Sequence, residues 1–128
     1  MNNILVDSSI WIEYFNASKR IDCSILDEML DSNLVCTNDL ILAELIPFLK
    51  VQKQNELIEL MNFITKIPLM IDWPDIIKIQ KSNLKHGINK TGIPYLIIMQ
   101  NVIRNNLKLY SLDNHFTLMR KYFHFAMI

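Results

Sequence analysis

Short β-rich runs alternate with stretches of helical periodicity along this chain, and that alternation constrains the fold more than any other feature. NILV (3–6), LVCT (34–37), IPLMI (67–71) and LKLYSL (107–112) read as strands, and FHFAMI (123–128) as a final edge strand. Between them, SSIWIEYF (8–15) spaces Ile10, Trp11, Tyr14 and Phe15 as a helix does, and IDCSILDEMLDSN (21–33) repeats apolar residues at 25, 26, 29 and 30. A helix capped near Asn38 or Asp39 runs through LILAELIPFLK, with Pro47 kinking or restarting it, and NELIELMNFI (55–64) continues the pattern. WPDIIKIQKSNLKHG (73–87) is opened by Pro74 and closed by Gly87. From Pro94 to Asn106 apolar residues crowd three sides, which predicts a buried helix, and NHFTLMRKY begins a short one. Alternation of this kind predicts an α/β domain of three layers, α/β/α, around a central, mainly parallel sheet of four to five strands.

Composition sets the outer bounds. One domain spanning residues 1–128 is expected, and 51 % hydrophobic content with two glycines argues against linkers and disorder. Apolar stretches such as LILAELIPFL (40–49) are shorter than the ~20 residues of a membrane crossing, and Asp7 interrupts the first apolar run, so the expectation is a cytoplasmic protein with no membrane partner. Cys23 and Cys36 lack CxxC spacing and read as small hydrophobes rather than a disulfide. Thirteen basic and thirteen acidic residues cancel, so any nucleic-acid role has to come from local placement.

In a parallel sheet of this kind the site lies outside the carboxyl ends of the strands. Asp7 and Asp113 each stand directly after a predicted strand, at that edge. Either alone reads equally well as a helix N-cap. A third acid, Glu44, lies where Leu42, Ala43, Leu45 and Ile46 leave it little expected exposure, and a carboxylate there either asks for a metal, a base or a cap or stands on a narrow solvated stripe. Clustered carboxylates repel one another, so a site holding them ionised normally contains a divalent cation. Oxygen-only donors fit Mg²⁺ or Mn²⁺, whose chemistry is phosphodiester hydrolysis by an activated water.

ILVDSSIWIEYF, LILAEL, GIPYLIIMQN and LYSLDNHF, in this order and spacing, resemble the PIN-domain ribonucleases, and closely the VapC-type toxins of bacterial toxin–antitoxin pairs. The likeness covers essentially the whole chain, although each motif alone is short. It implies a PIN-like fold and Mg²⁺- or Mn²⁺-dependent endoribonuclease activity, with Asp7, Glu44 and Asp113 as catalytic and metal-binding acids and Ser9 as the supporting hydroxyl. It also implies an RNA substrate, a homodimer, and a cognate antitoxin whose arm covers the acidic site, often presenting an arginine to it.

The chain departs from the family pattern at one place. The third acid of the family, an aspartate in the first turn of a helix, falls at Tyr95. A helix N-terminus favours a carboxylate there, whereas a phenol, with a pKa near 10, brings no charge at neutral pH. Three explanations stay open: an inactivating substitution, a naturally silent relative, or weak retention of one cation by Asp7, Glu44 and Asp113. The alternative function is a non-catalytic PIN-like module that binds antitoxin or RNA without cleaving. An aspartyl-phosphate mechanism at Asp7 lacks its general acid, since Ser9 stands where a second aspartate would be.

Lys78, Lys81 and Lys85 recur at helical spacing and, with His115 two residues past Asp113, are candidate RNA-binding groups. A solvated face explains the lysines equally simply. Trp11, Tyr14, Phe15, Phe63, Trp73 and Phe116 read as core or dimer contacts.

Overall fold

Ile4, Leu5 and Val6 are three consecutive buried residues, which only a strand with neighbours on both sides and layers on both faces accommodates. The computed structural model, which describes residues 2–128, places this strand, β1 (Ile4–Val6), at the centre of a five-stranded sheet. On one side lie β2 (Val35–Thr37) and β3 (Thr65–Lys66), and on the other β4 (Lys108–Tyr110) and β5 (Ala126–Met127), in the order β3-β2-β1-β4-β5. Every pairing is parallel, with Leu5 opposite Cys36 on one flank and Leu109 on the other. The expected parallel α/β architecture is therefore present, with five strands and the predicted final edge strand within 123–128.

Seven helices connect the strands among the described residues: α1 (Ser8–Phe15), α2 (Cys23–Asp31), α3 (Asp39–Val51), α4 (Asn55–Phe63), α5 (Trp73–Lys85), α6 (Ile93–Arg104) and α7 (Asn114–Met119). Helix α3 packs against α1 and α4, while α6 packs against α5 and α7. The chain winds from β1 outward to β3 and then returns past β1 to β4. Right-handed crossovers that reverse direction in this way put the two helix groups on opposite faces of the sheet. No helix is long and apolar enough to cross a membrane among the described residues.

Two local expectations are corrected. IPLMI (67–71) is not a strand: β3 is the preceding pair Thr65–Lys66. Ile67 still donates to the Thr37 carbonyl (2.8 Å), but Pro68 has no N–H to continue the ladder, and its own carbonyl accepts from Asn101 Nδ2 instead (3.1 Å). Pro47 neither ends nor restarts α3, which runs unbroken from Asp39 to Val51.

Helix α6 is the buried core of its face, with every residue from Leu96 to Val102 inaccessible or nearly so. Its two buried amides are satisfied rather than orphaned. Gln100 bonds the Asp72 backbone and the Asp75 carboxylate, and Asn101 bonds Pro68 and Asn38. Asn38 is also the N-cap of α3, accepting from Ile41 N (2.9 Å) while its amide donates to Asn101 Oδ1 (3.0 Å). One side chain thus ties the start of α3 to the middle of α6. Asn38→Ala loses a cap and strands a buried partner, and the expected cost is about 2 kcal/mol of stability, read as a lower urea midpoint with an unchanged m-value.

Candidate active site

The reversal of winding direction between β1 and β4 opens a crevice at their carboxyl ends, the place where open parallel sheets hold ligands. Asp7 and Asp113 both emerge there, and the Asp7 amide still donates to the Tyr110 carbonyl (2.9 Å). Asp7 occupies the N-cap position of α1, but its side chain makes no capping bond. Its buried carboxylate instead accepts, on Oδ2, from Ser9 Oγ and Ser111 Oγ, each at 2.8 Å. Two hydroxyl donors on one oxygen offset part of the cost of burying that carboxylate. Asp113 does cap: its Oδ1 accepts from the His115 amide at the start of α7 (3.0 Å).

Ser9 is a strut as well as a donor. Its Oγ accepts from Leu112 N (3.1 Å) while donating to Asp7, so it joins the start of α1 to the segment after β4. Ser111, which sequence reasoning missed, does the same from the other side and accepts from Asp113 N (3.0 Å). The signal was present, since a serine stands two residues after Asp7 and another two residues before Asp113.

Tyr95 lies in the first turn of α6, and its phenol donates to Asp113 Oδ2 at 2.8 Å. That bond is the largest cause of a phenol pKa pushed up to about 12, followed by burial and then by the charges of Asp113, Asp7 and Glu44. The proton stays on Tyr95 at neutral pH. The ring also packs on His115 (centroids 4.5 Å apart) and edge-on to Phe116 (5.5 Å). Thr91 Oγ1 sits 3.3 Å from His115 Nδ1, a part-buried contact that sequence reasoning missed and that no local pattern announces.

Glu44 departs from expectation. The core face of α3 is Ile41, Leu45 and Leu49, which leaves Glu44 off that face and exposed. Its carboxyl is nevertheless pushed up, first by desolvation and then by Asp7 and Asp113, so all three acids act in one field. No Lys or Arg pairs with Asp7, Glu44 or Asp113 among the described residues. The lysines do not join them. A cleft of about 540 Å³ beside the acids is lined by Ser9, Asp113, Asn114, His115 and the Arg20–Glu13 pair, whereas Lys81 and Lys85 line a separate groove on α5.

The donor chemistry of the three acids suits Mg²⁺ or Mn²⁺, but their arrangement does not. Among the described residues no three His, Cys, Asp or Glu side chains are gathered closely enough to hold a metal ion. One oxygen of Asp7 is taken by two serines and one of Asp113 by Tyr95.

No family model and no curated protein matches the chain. Among solved structures it is similar to VapBC2 from Rickettsia felis bound to a DNA fragment from their promoter, at 16 % identity and a TM-score of 0.75, over 98 % of this chain and 96 % of that one. At that identity the likeness establishes the fold, and the PIN-like architecture expected from the motifs is the one observed.

Because its folded pKa is raised, Glu44 binds its proton more tightly in the native state than in the unfolded chain. Its contribution to stability is present below the unfolded value and lost as pH rises through the folded one. Glu44→Gln is therefore expected to melt higher than the parent at pH 7 and to converge with it below about pH 4, checked by calorimetry across that range.

Proposed function

We propose that this chain is a toxin of a type II toxin–antitoxin pair, of the endoribonuclease kind, whose cleavage of RNA phosphodiesters is impaired by Tyr95. The observation that carries the reading is the phenol of Tyr95 bonded to Asp113 in the first turn of α6, where a carboxylate would complete an oxygen-donor set with Asp7 and Glu44. A helix N-terminus stabilises an anion at that point, and the tyrosine leaves it unused.

The residues present still do part of the work of such a site. Ser9 and Ser111 hold Asp7 in one rotamer, Asp113 is oriented by the α7 amide, and the adjoining cleft offers Asn114, His115 and Arg20 to a bound strand. The cofactor of this reading is Mg²⁺ or Mn²⁺, and the donor missing for it is the one at position 95. The likeness to VapBC2 supports an antitoxin as partner, and its placement over the acidic cleft belongs to this reading. RNA as substrate, a homodimer and a cytoplasmic location belong to the same reading.

Tyr95 also favours the second reading, a module that binds antitoxin or RNA without cleaving. Tyr95→Asp separates the two. With Mg²⁺ and a single-stranded RNA the variant is expected to cleave about a hundredfold faster than the parent, and Tyr95→Asp combined with Asp113→Asn to fall silent again. A folded Tyr95→Asp protein that gains no cleavage with either Mg²⁺ or Mn²⁺ overturns the impaired-nuclease reading. Calorimetric titration of the parent with Mn²⁺ then shows no heat if the chain is a metal-free module.

A further inference from the structure

Helix α5 carries an apolar seam that its own domain does not cover. Its core face is Ile76, Ile79 and Asn83, all buried. About a quarter-turn away, Trp73, Ile77 and Leu84 are 54 %, 68 % and 60 % exposed, and Ile93 at the start of α6 is 42 % exposed beside them. With Gln80 the positions 73, 77, 80 and 84 run at intervals of four, three and four, the spacing with which one helix meets another along a seam. They line a groove of about 650 Å³. Scattered surface leucines need no explanation, but three large side chains in register on one helix do.

The charges beside the groove say what kind of helix fits it. Lys81 and Lys85 line the groove and Lys78 lies on the same flank, while neither Lys81 nor Lys85 makes an ion pair among the described residues. The acids at the start of α5 are already committed: Asp72 pairs with Arg104 (2.7 Å), and Asp75 accepts from Gln100 (2.7 Å). A second copy docked antiparallel along this seam sets the lysine flank against its own counterpart, so charge opposes self-association here. Single-stranded RNA would find phosphate partners but an aliphatic floor, with Trp73 alone able to stack on a base. We infer that the α5 groove docks an amphipathic helix of another protein, apolar along its centre and acidic on its edges. This surface is independent of the carboxylate site and of the activity assigned to it.

The full chain is titrated by fluorescence anisotropy with a synthetic three-heptad helix bearing leucine at the seam positions and glutamate at the flanking ones, and with its lysine-flanked counterpart. The acidic peptide is expected to bind at least tenfold more tightly than the basic one and to weaken as salt rises. Ile77→Glu, an exposed change that leaves the core intact, removes binding. Lys81→Glu with Lys85→Glu reverses the preference between the two peptides. Equal affinity for both peptides, binding unaffected by Ile77→Glu, or no binding of the acidic peptide overturns the inference. So does a dimer in light scattering that Ile77→Glu dissociates, since the occupant is then a second copy, and so does a single-stranded RNA bound through Lys81 and Lys85 more tightly than the acidic peptide.

Discussion

The parallel pairing of β1 with β4 is the contact on which the candidate site depends. Val6 lies opposite Tyr110, so the residues that follow these strands, Asp7 and Ser111 through Asp113, are delivered to one point although about a hundred residues separate them. The buried register of β1 holds that pairing in place. A slip by one residue would send Leu5 and Val6 each to the opposite layer, where the packing was not built for them, and move Asp7 off the crevice. Ser9 and Ser111 lock the junction by bonding across it: Ser9 accepts from Leu112 N, and Ser111 donates to Asp7 while accepting from Asp113 N in its own segment.

What this junction presents is a concentration of negative charge answered by hydroxyls rather than cations. Asp7 has two serines and Asp113 has a backbone amide and a phenol, whereas the proton of Glu44 is held more tightly than usual, first by desolvation and then by the charges of Asp7 and Asp113. Tyr95 matters twice in this balance. It supplies a neutral donor where the helix terminus favours an anion, and its ring fills space against His115 and Phe116. The hydrogen bond from Tyr95 offsets part of the repulsion that Asp113 meets from the other acids. A fourth carboxylate in place of the phenol would raise that repulsion and with it the attraction for a hard cation.

The α5 seam and the acid crevice show how differently one domain can leave surface unfinished. The crevice is polar, with Asp7 and Asp113 hydrogen-bonded within the chain, whereas the seam is apolar with lysines beside it that make no ion pair among the described residues. Helix α5 has enough apolar residues to cover more than its share of α6, and Trp73, Ile77 and Leu84 are the excess.

Much of the fold was legible because burial has a period. Strands β1, β2, β4 and β5, the cap at Asn38, the closure of α5 at Gly87 (φ 73°) and the buried α6 all follow from patterns a few residues long. Where two local signals competed, reading failed: IPLMI has strand composition, but Pro68 breaks its ladder, and Glu44 has apolar neighbours in sequence, yet of these only Leu45 is fully buried and Glu44 lies off the core face. By itself the sequence determined the alternation of elements, the edge at which the acids emerge and the anomaly at position 95, since each is set by neighbouring residues or by the order of segments. Only the tertiary structure decided that Ser111 holds Asp7, that Thr91 meets His115, that Tyr95 spends its proton on Asp113 and that three acids share a field without closing into a metal site. Those are contacts between segments distant in the chain, and their distances depend on how whole elements pack.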